Sequence, residues 1–190
     1  MSRADASERI TRAAVTLGVT EGVGAMSLQA IARRAGVSKS LLLYHFTGKP
    51  LLLGAVVRTL GSESEARLQQ AAAAPDALEA WRLLVRDEVT RGELALLGAL
   101  ALEAAGDPAM LRDVRAARER AAATLASAVL TGVHLAPRVP VALLGRLLLR
   151  HLDGVVSATT RVGTSSSADA AAALDAELDA FALALLALGH

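Results

Sequence analysis

The chain has 190 residues, 53% of them apolar and 21% charged, which suits one large domain or two small ones and excludes disorder over the chain as a whole. With no cysteine, a disulfide scaffold, a thiolate zinc site and a cysteine nucleophile are excluded. Aromatic residues make up only 2%, and the remaining apolar residues are largely Ala, Leu and Val; Ala and Leu are the strongest helix formers, so the composition predicts an all-α fold.

The mean hydropathy is +0.42, yet the longest apolar stretches, such as Leu51 to Val57 and Leu94 to Leu102, fall far short of the roughly 20 residues a spanning helix needs. No membrane span is expected. Arg3, Asp5, Glu8, Arg9 and Arg12 leave no apolar segment for a secretory signal, so the expected location is cytoplasmic. The net charge of +1 conceals a split. Residues 1–50 carry seven basic and three acidic side chains (+4), and residues 51–190 carry 13 basic and 16 acidic ones (−3). A basic first quarter on a mildly acidic body is the arrangement expected when one end meets a polyanion.

In chain order, Ile10, Ala14 and Leu17 recur at i, i+4, i+7 and predict an amphipathic helix over about 5–20, closed by Gly22 and Gly24. Ser27 suits an N-cap for a short helix with Leu28, Ile31 and Ala32 inward. Gly36 stands where a helix needs a left-handed residue, Val37 plugs the corner, and Ser38 caps a second helix from Lys39 to about Phe46. Helix, glycine turn, helix is the grammar of a helix-turn-helix. Lys49-Pro50 opens a long helix to about Gln70, and Pro75-Asp76 begins another around Trp81 that ends near Gly92. Further helices are predicted over 93–105 and 109–130, the first stopped by Gly106, Asp107 and Pro108, the second by Gly132, Pro137 and Pro140.

Two last helices differ in pattern. Over 141–160, Arg146, Arg150, Asp153 and Ser157 share about 60° of arc, and nearly all the remaining circumference is apolar, as for a helix buried on two sides. Over 168–188, Leu174, Leu178, Phe181, Leu185 and Leu188 step by 4, 3, 4, 3 in a heptad-like seam. No segment alternates with period two, so no strand is predicted. The sum is an N-terminal three-helix helix-turn-helix domain plus a C-terminal helical bundle, about nine helices in all.

The run from Ser27 through Ile31-Ala32, Ala35-Gly36-Val37-Ser38 and Tyr44-His45-Phe46, followed by Lys49 and Leu51-Leu52, resembles the DNA-binding domain of TetR-type (tetracycline-repressor-like) transcriptional regulators. The resemblance covers about residues 6 to 57; beyond it the chain is similar to the family in length, helical pattern and the Asp153-Gly154 pair. It implies a DNA-binding domain over 1–48, an effector-binding and dimerisation domain over 49–190, and double-stranded DNA with a palindromic operator as partner. On that footing Lys39, Ser40 and Leu41, at the N-terminal end of the recognition helix, face base edges. Lys39 suits guanine O6 and N7, Ser40 a donor or an acceptor, and Leu41 a thymine methyl. Tyr44, His45 and Lys49 are expected as phosphate clamps, and Ser27 and Ser38 join capping to the DNA face. One departure is Leu43, where the family usually has an aromatic residue, commonly a phosphate-binding Tyr; it packs inward or touches a sugar.

The resemblance also implies an effector pocket in the C-terminal domain and a homodimer through the helices at about 141–160 and 168–188, which the two apolar patterns support independently. Trp81, Glu103, Met110 and His151 are the candidate ligand-binding residues, with core filling as the alternative for Trp81 and a buried neutral imidazole bonded to a carbonyl as the alternative for His151. So few aromatics suit a small apolar or amphipathic effector. No Glu-x-x-His pair, phosphate loop or Gly-x-Ser-x-Gly elbow occurs, and the four His are scattered, so no enzymatic activity, catalytic residue, metal site or cofactor is expected. The competing reading is a helical small-molecule-binding or scaffold protein that no longer reads DNA, motivated by Leu43 and the modest basic excess.

Overall fold

Ala- and Leu-rich segments punctuated by Gly and Pro resolve into helices throughout the described part of a computed structural model, which comprises residues 3–74, 77–103, 107–133, 140–161, 175–177 and 179–180. The elements are α1 (Arg3–Glu21), a 3-10 turn (Val23–Ala25), α2 (Leu28–Ala35), α3 (Lys39–His45), α4 (Lys49–Ala72), α5 (Ala77–Arg91), α6 (Glu93–Glu103), α7 (Pro108–Val133) and α8 (Val141–Arg161). Residues 175–177 and 179–180 are helical as well, and there is no strand among the described residues. The fold is all-α, as the composition predicts. Most of the 168–188 segment, Leu174, Leu178, Phe181, Leu185 and Leu188 included, lies outside the described residues. Among the described residues no single helix is long and apolar enough to cross a membrane.

The chain forms two compact units, residues 1–62 with 95–117, and residues 63–94 with 118–190. In the first, Ile10, Ala14 and Leu17 of α1 are buried together with Ile31 and Ala32 of α2, Leu42 of α3 and Phe46 just after it. The core does not stop at the helix-turn-helix. Leu52, Leu53, Val56, Val57 and Leu60 of α4, Leu96, Leu97 and Leu100 of α6, and Met110 and Val114 of α7 belong to the same cluster. Helices of 19, 8 and 7 residues enclose only a small core, and these further elements enlarge it. Gly18 lets α6 approach α1: a Cβ there would stand 2.7 and 2.9 Å from the two Leu96 methyls.

In the second unit, α5 packs against α8. Leu144, Leu148 and Leu149 of α8 are buried, as are Leu84 and Val85 of α5. Gly145 sets α8 directly on the backbone of α7, since a Cβ at that position would overlap the Ala122 carbonyl and stand 3.2 Å from the Ala126 methyl. The opposite arc of α8 is exposed and mixed, with Arg146 and Arg150 beside Leu143 and Leu147.

A candidate nucleic-acid interface

The turn between α2 and α3 is built by three residues acting on backbone groups. Ser27, in extended backbone, accepts from the Ala30 N–H at 3.2 Å and starts α2. Gly36 ends it at φ 63°, a left-handed conformation that costs a residue with a Cβ about 1 kcal/mol or more. The Gly36 N–H bonds the Arg33 carbonyl at 3.2 Å and the Val37 N–H bonds the Ala32 carbonyl at 3.0 Å, the paired closure of a Schellman motif. Ser38 then accepts from the Leu41 N–H at 3.0 Å and starts α3. Both serine hydroxyls use an acceptor lone pair for capping and keep their O–H to donate.

This geometry fixes which side of α3 faces out. Leu42 is fully buried and Phe46 nearly so, anchoring the helix from one face. Lys39 and Ser40 are exposed at its N-terminal end, and Leu41 is half-buried. Tyr44 is 64% exposed, with its ring edge-on to His45 at 5.4 Å between centroids. Leu43 is exposed at 37%, so it does not pack inward. Ser27, Ser38, Lys39, Ser40, Leu41, Tyr44, His45 and Lys49 all fall within the first unit, most of them on the outer side of the turn and α3.

Two neighbouring cations are held by carboxylates. Arg34 pairs with Glu21 at 3.6 Å, and Lys49, opening α4, pairs with Glu103, closing α6, at 3.7 Å. Lys39 has no carboxylate partner among the described residues.

The four ligand candidates are not brought together. Glu103 and Met110 lie in the first unit, the former exposed and paired with Lys49, the latter buried in the core around the helix-turn-helix. Trp81 on α5 and His151 on α8 lie in the second. The His151 ring is half-buried, with its Nε2 shielded from solvent. The Trp81 side chain lies outside the described residues.

Among the described residues of the second unit is a buried charged cluster that is not evident from the sequence. Glu88 of α5 is 2% exposed and takes a hydrogen bond from Arg67 Nε; the same guanidinium donates from Nη2 to Glu93 at 2.9 Å. The second Glu88 oxygen, Oε2, is buried without a hydrogen bond among the described residues. Burial opposes the Arg67 charge, but the bond to Glu88 and the attraction of both carboxylates outweigh it and raise the guanidinium above its ordinary range. The only sequence signal was a Glu at spacing i, i+3, i+4 with Leu84 and Val85, on a face otherwise apolar.

Residues 10–56 match the family model of bacterial regulatory proteins, tetR family. The chain has the domain and the fold of a TetR-family transcriptional regulator. A TetR-family structure from Mesorhizobium loti is similar over 98% of each chain, at 25% identity and a TM-score of 0.70. A TetR transcription regulator from Haloarcula marismortui aligns over 98% of this chain and 100% of its own, at 18% identity and a TM-score of 0.79. A Rhodococcus transcriptional regulator aligns over 91% and 94%, at 22% identity and 0.74. No curated protein matches the chain. The TetR-family match ends within α4, close to where that helix passes from the first compact unit to the second.

Proposed function

We propose that this TetR-family chain is a ligand-responsive, dimeric, non-enzymatic and cytoplasmic regulator, acting as a repressor that a small apolar or amphipathic effector releases from a palindromic operator. Functionally we divide it into a helix-turn-helix DNA-binding domain over 1–48 and an effector-binding and dimerisation domain over 49–190, whose first residue, Lys49, adds a phosphate contact to the DNA face. The observation that carries the reading is α3 itself. Buried Leu42 and Phe46 hold one face while the other presents exposed Lys39 and Ser40 at the N-terminal end, where this motif meets base edges. Ser38 at the start of α3, Tyr44 and His45 at its end, Lys49 at the start of α4 and Ser27 at the start of α2 add phosphate donors on this reading. Leu43, exposed beside Tyr44, is an apolar contact to sugar or base on this reading. The effector domain keeps Trp81 and His151 as candidate ligand contacts. Glu103 and Met110, one paired with Lys49 and the other in the core around the helix-turn-helix, are weaker ones.

Binding to the duplex upstream of the chain's own gene tests this. Lys39→Ala is expected to change the preference among sequences, and Tyr44→Phe or Lys49→Ala to weaken all duplexes alike. Failure to bind any duplex at low salt would favour the non-DNA-reading alternative. Uniform weakening by Lys39→Ala would remove the base-reading role.

A further inference from the structure

Lys49 and Glu103 each sit at the electrostatically unfavourable end of a helix. A cation at the first residue of α4 meets the positive end of that helix dipole, and a carboxylate at the last residue of α6 meets the negative end. Their ion pair at 3.7 Å compensates both. An anion other than Glu103 would serve Lys49 as well, and the N–H groups at the start of α4 favour one. The two side chains are 37% and 51% exposed, so water reaches both and exchange needs no repacking.

We propose that Glu103 is an electrostatic gate on DNA binding: its carboxylate occupies the Lys49 ammonium in the free protein, and a duplex must exchange that carboxylate for a backbone phosphate. The gate rests on the reading of Lys49 as a phosphate clamp. Lys39 carries no such partner among the described residues, so the base-facing cation stays available while the phosphate-facing one is held back. Glu103 thereby lowers affinity for every duplex equally and leaves discrimination between sequences untouched. The penalty is set by a solvent-exposed pair, which limits it to about a two- to fivefold effect per subunit, and a dimer meets it twice.

A double-mutant cycle on the full chain, read by fluorescence anisotropy with labelled duplexes at low salt, tests the gate. Glu103→Gln keeps the size of the side chain and should tighten binding to specific and unrelated duplexes by the same factor. In a Lys49→Ala background the same substitution should do nothing. Tightening that persists without Lys49 would assign the effect to long-range repulsion by Glu103 and overturn the gate. Equal affinity of wild type and Glu103→Gln, with Lys49→Ala still weakening all duplexes, would overturn the gate and leave the clamp standing. If Lys49→Ala weakens nothing, clamp and gate fall together.

Discussion

Arg67 and Glu88 separate two kinds of ion pair in this molecule. The Arg67 side chain is 19% exposed and that of Glu88 3%, so water has little access to the Glu88 carboxylate once its partner is removed. Arg67→Ala is therefore expected to cost about 3 kcal/mol, because it strands a buried carboxylate. Urea unfolding measures this, and a loss under about 1 kcal/mol would show that the carboxylate relaxes to water. Arg91, paired with Asp87 one turn away on the exposed side of α5, should leave the unfolding midpoint unchanged when replaced by Ala. Because the Arg67 guanidinium is raised, its contribution is complete below the ordinary guanidinium range and lost only above its folded value. No part of it titrates near neutral pH. This cluster is not legible in the sequence, since nothing in the spacing of Arg67, Glu88 and Glu93 says that three residues on three helices converge. Ser27, Gly36 and Ser38 were legible because their partners lie within five residues along the chain.

At the scale of elements, three glycines inside helices divide by what surrounds them. A methyl at Gly145 meets the Ala122 backbone, which cannot move aside, so Gly145→Ala should force α8 off α7 and cost about 2 kcal/mol. A methyl at Gly18 meets only the flexible ends of Leu96 and Met26, and the cost should be smaller. A methyl at Gly98 on α6 meets nothing within 4 Å, so Gly98→Ala should stabilise by about 0.5–1 kcal/mol through helix propensity alone. Thermal melts rank the three; a Gly145→Ala protein as stable as Gly98→Ala would mean the close α7–α8 approach is not real. Helix order and most ends were readable from periodicity and from Gly and Pro: α2 and α3 begin at their predicted caps, and α4 and α8 extend at most two residues beyond prediction. The 3-10 turn at Val23–Ala25 leaves no mark in the sequence because three residues carry no periodicity. That α4, α6 and α7 contribute to the core of the helix-turn-helix was likewise invisible, being a matter of tertiary contact between apolar faces that any neighbour would satisfy.

For the molecule as a whole, the exposed arc of α8 is the surface that the proposed dimer would use. Leu147 is 51% exposed, Leu143 40% and Val141 46%, alongside Arg146 and Arg150. On the dimer reading these leucines meet a second copy about a two-fold axis. Sedimentation at micromolar concentration should find a dimer for the wild type and a monomer for Leu147→Glu, and a wild-type monomer would end that reading. The aromatic scarcity has a last consequence at this scale. The chain has a single Trp and a single Tyr, and they fall in different compact units, Trp81 on α5 in one and the outward-facing Tyr44 on α3 in the other. Each unit is thus born with its own intrinsic fluorophore. Emission excited through indole alone reports on the second unit, and tyrosine emission on the first, without a label attached to either.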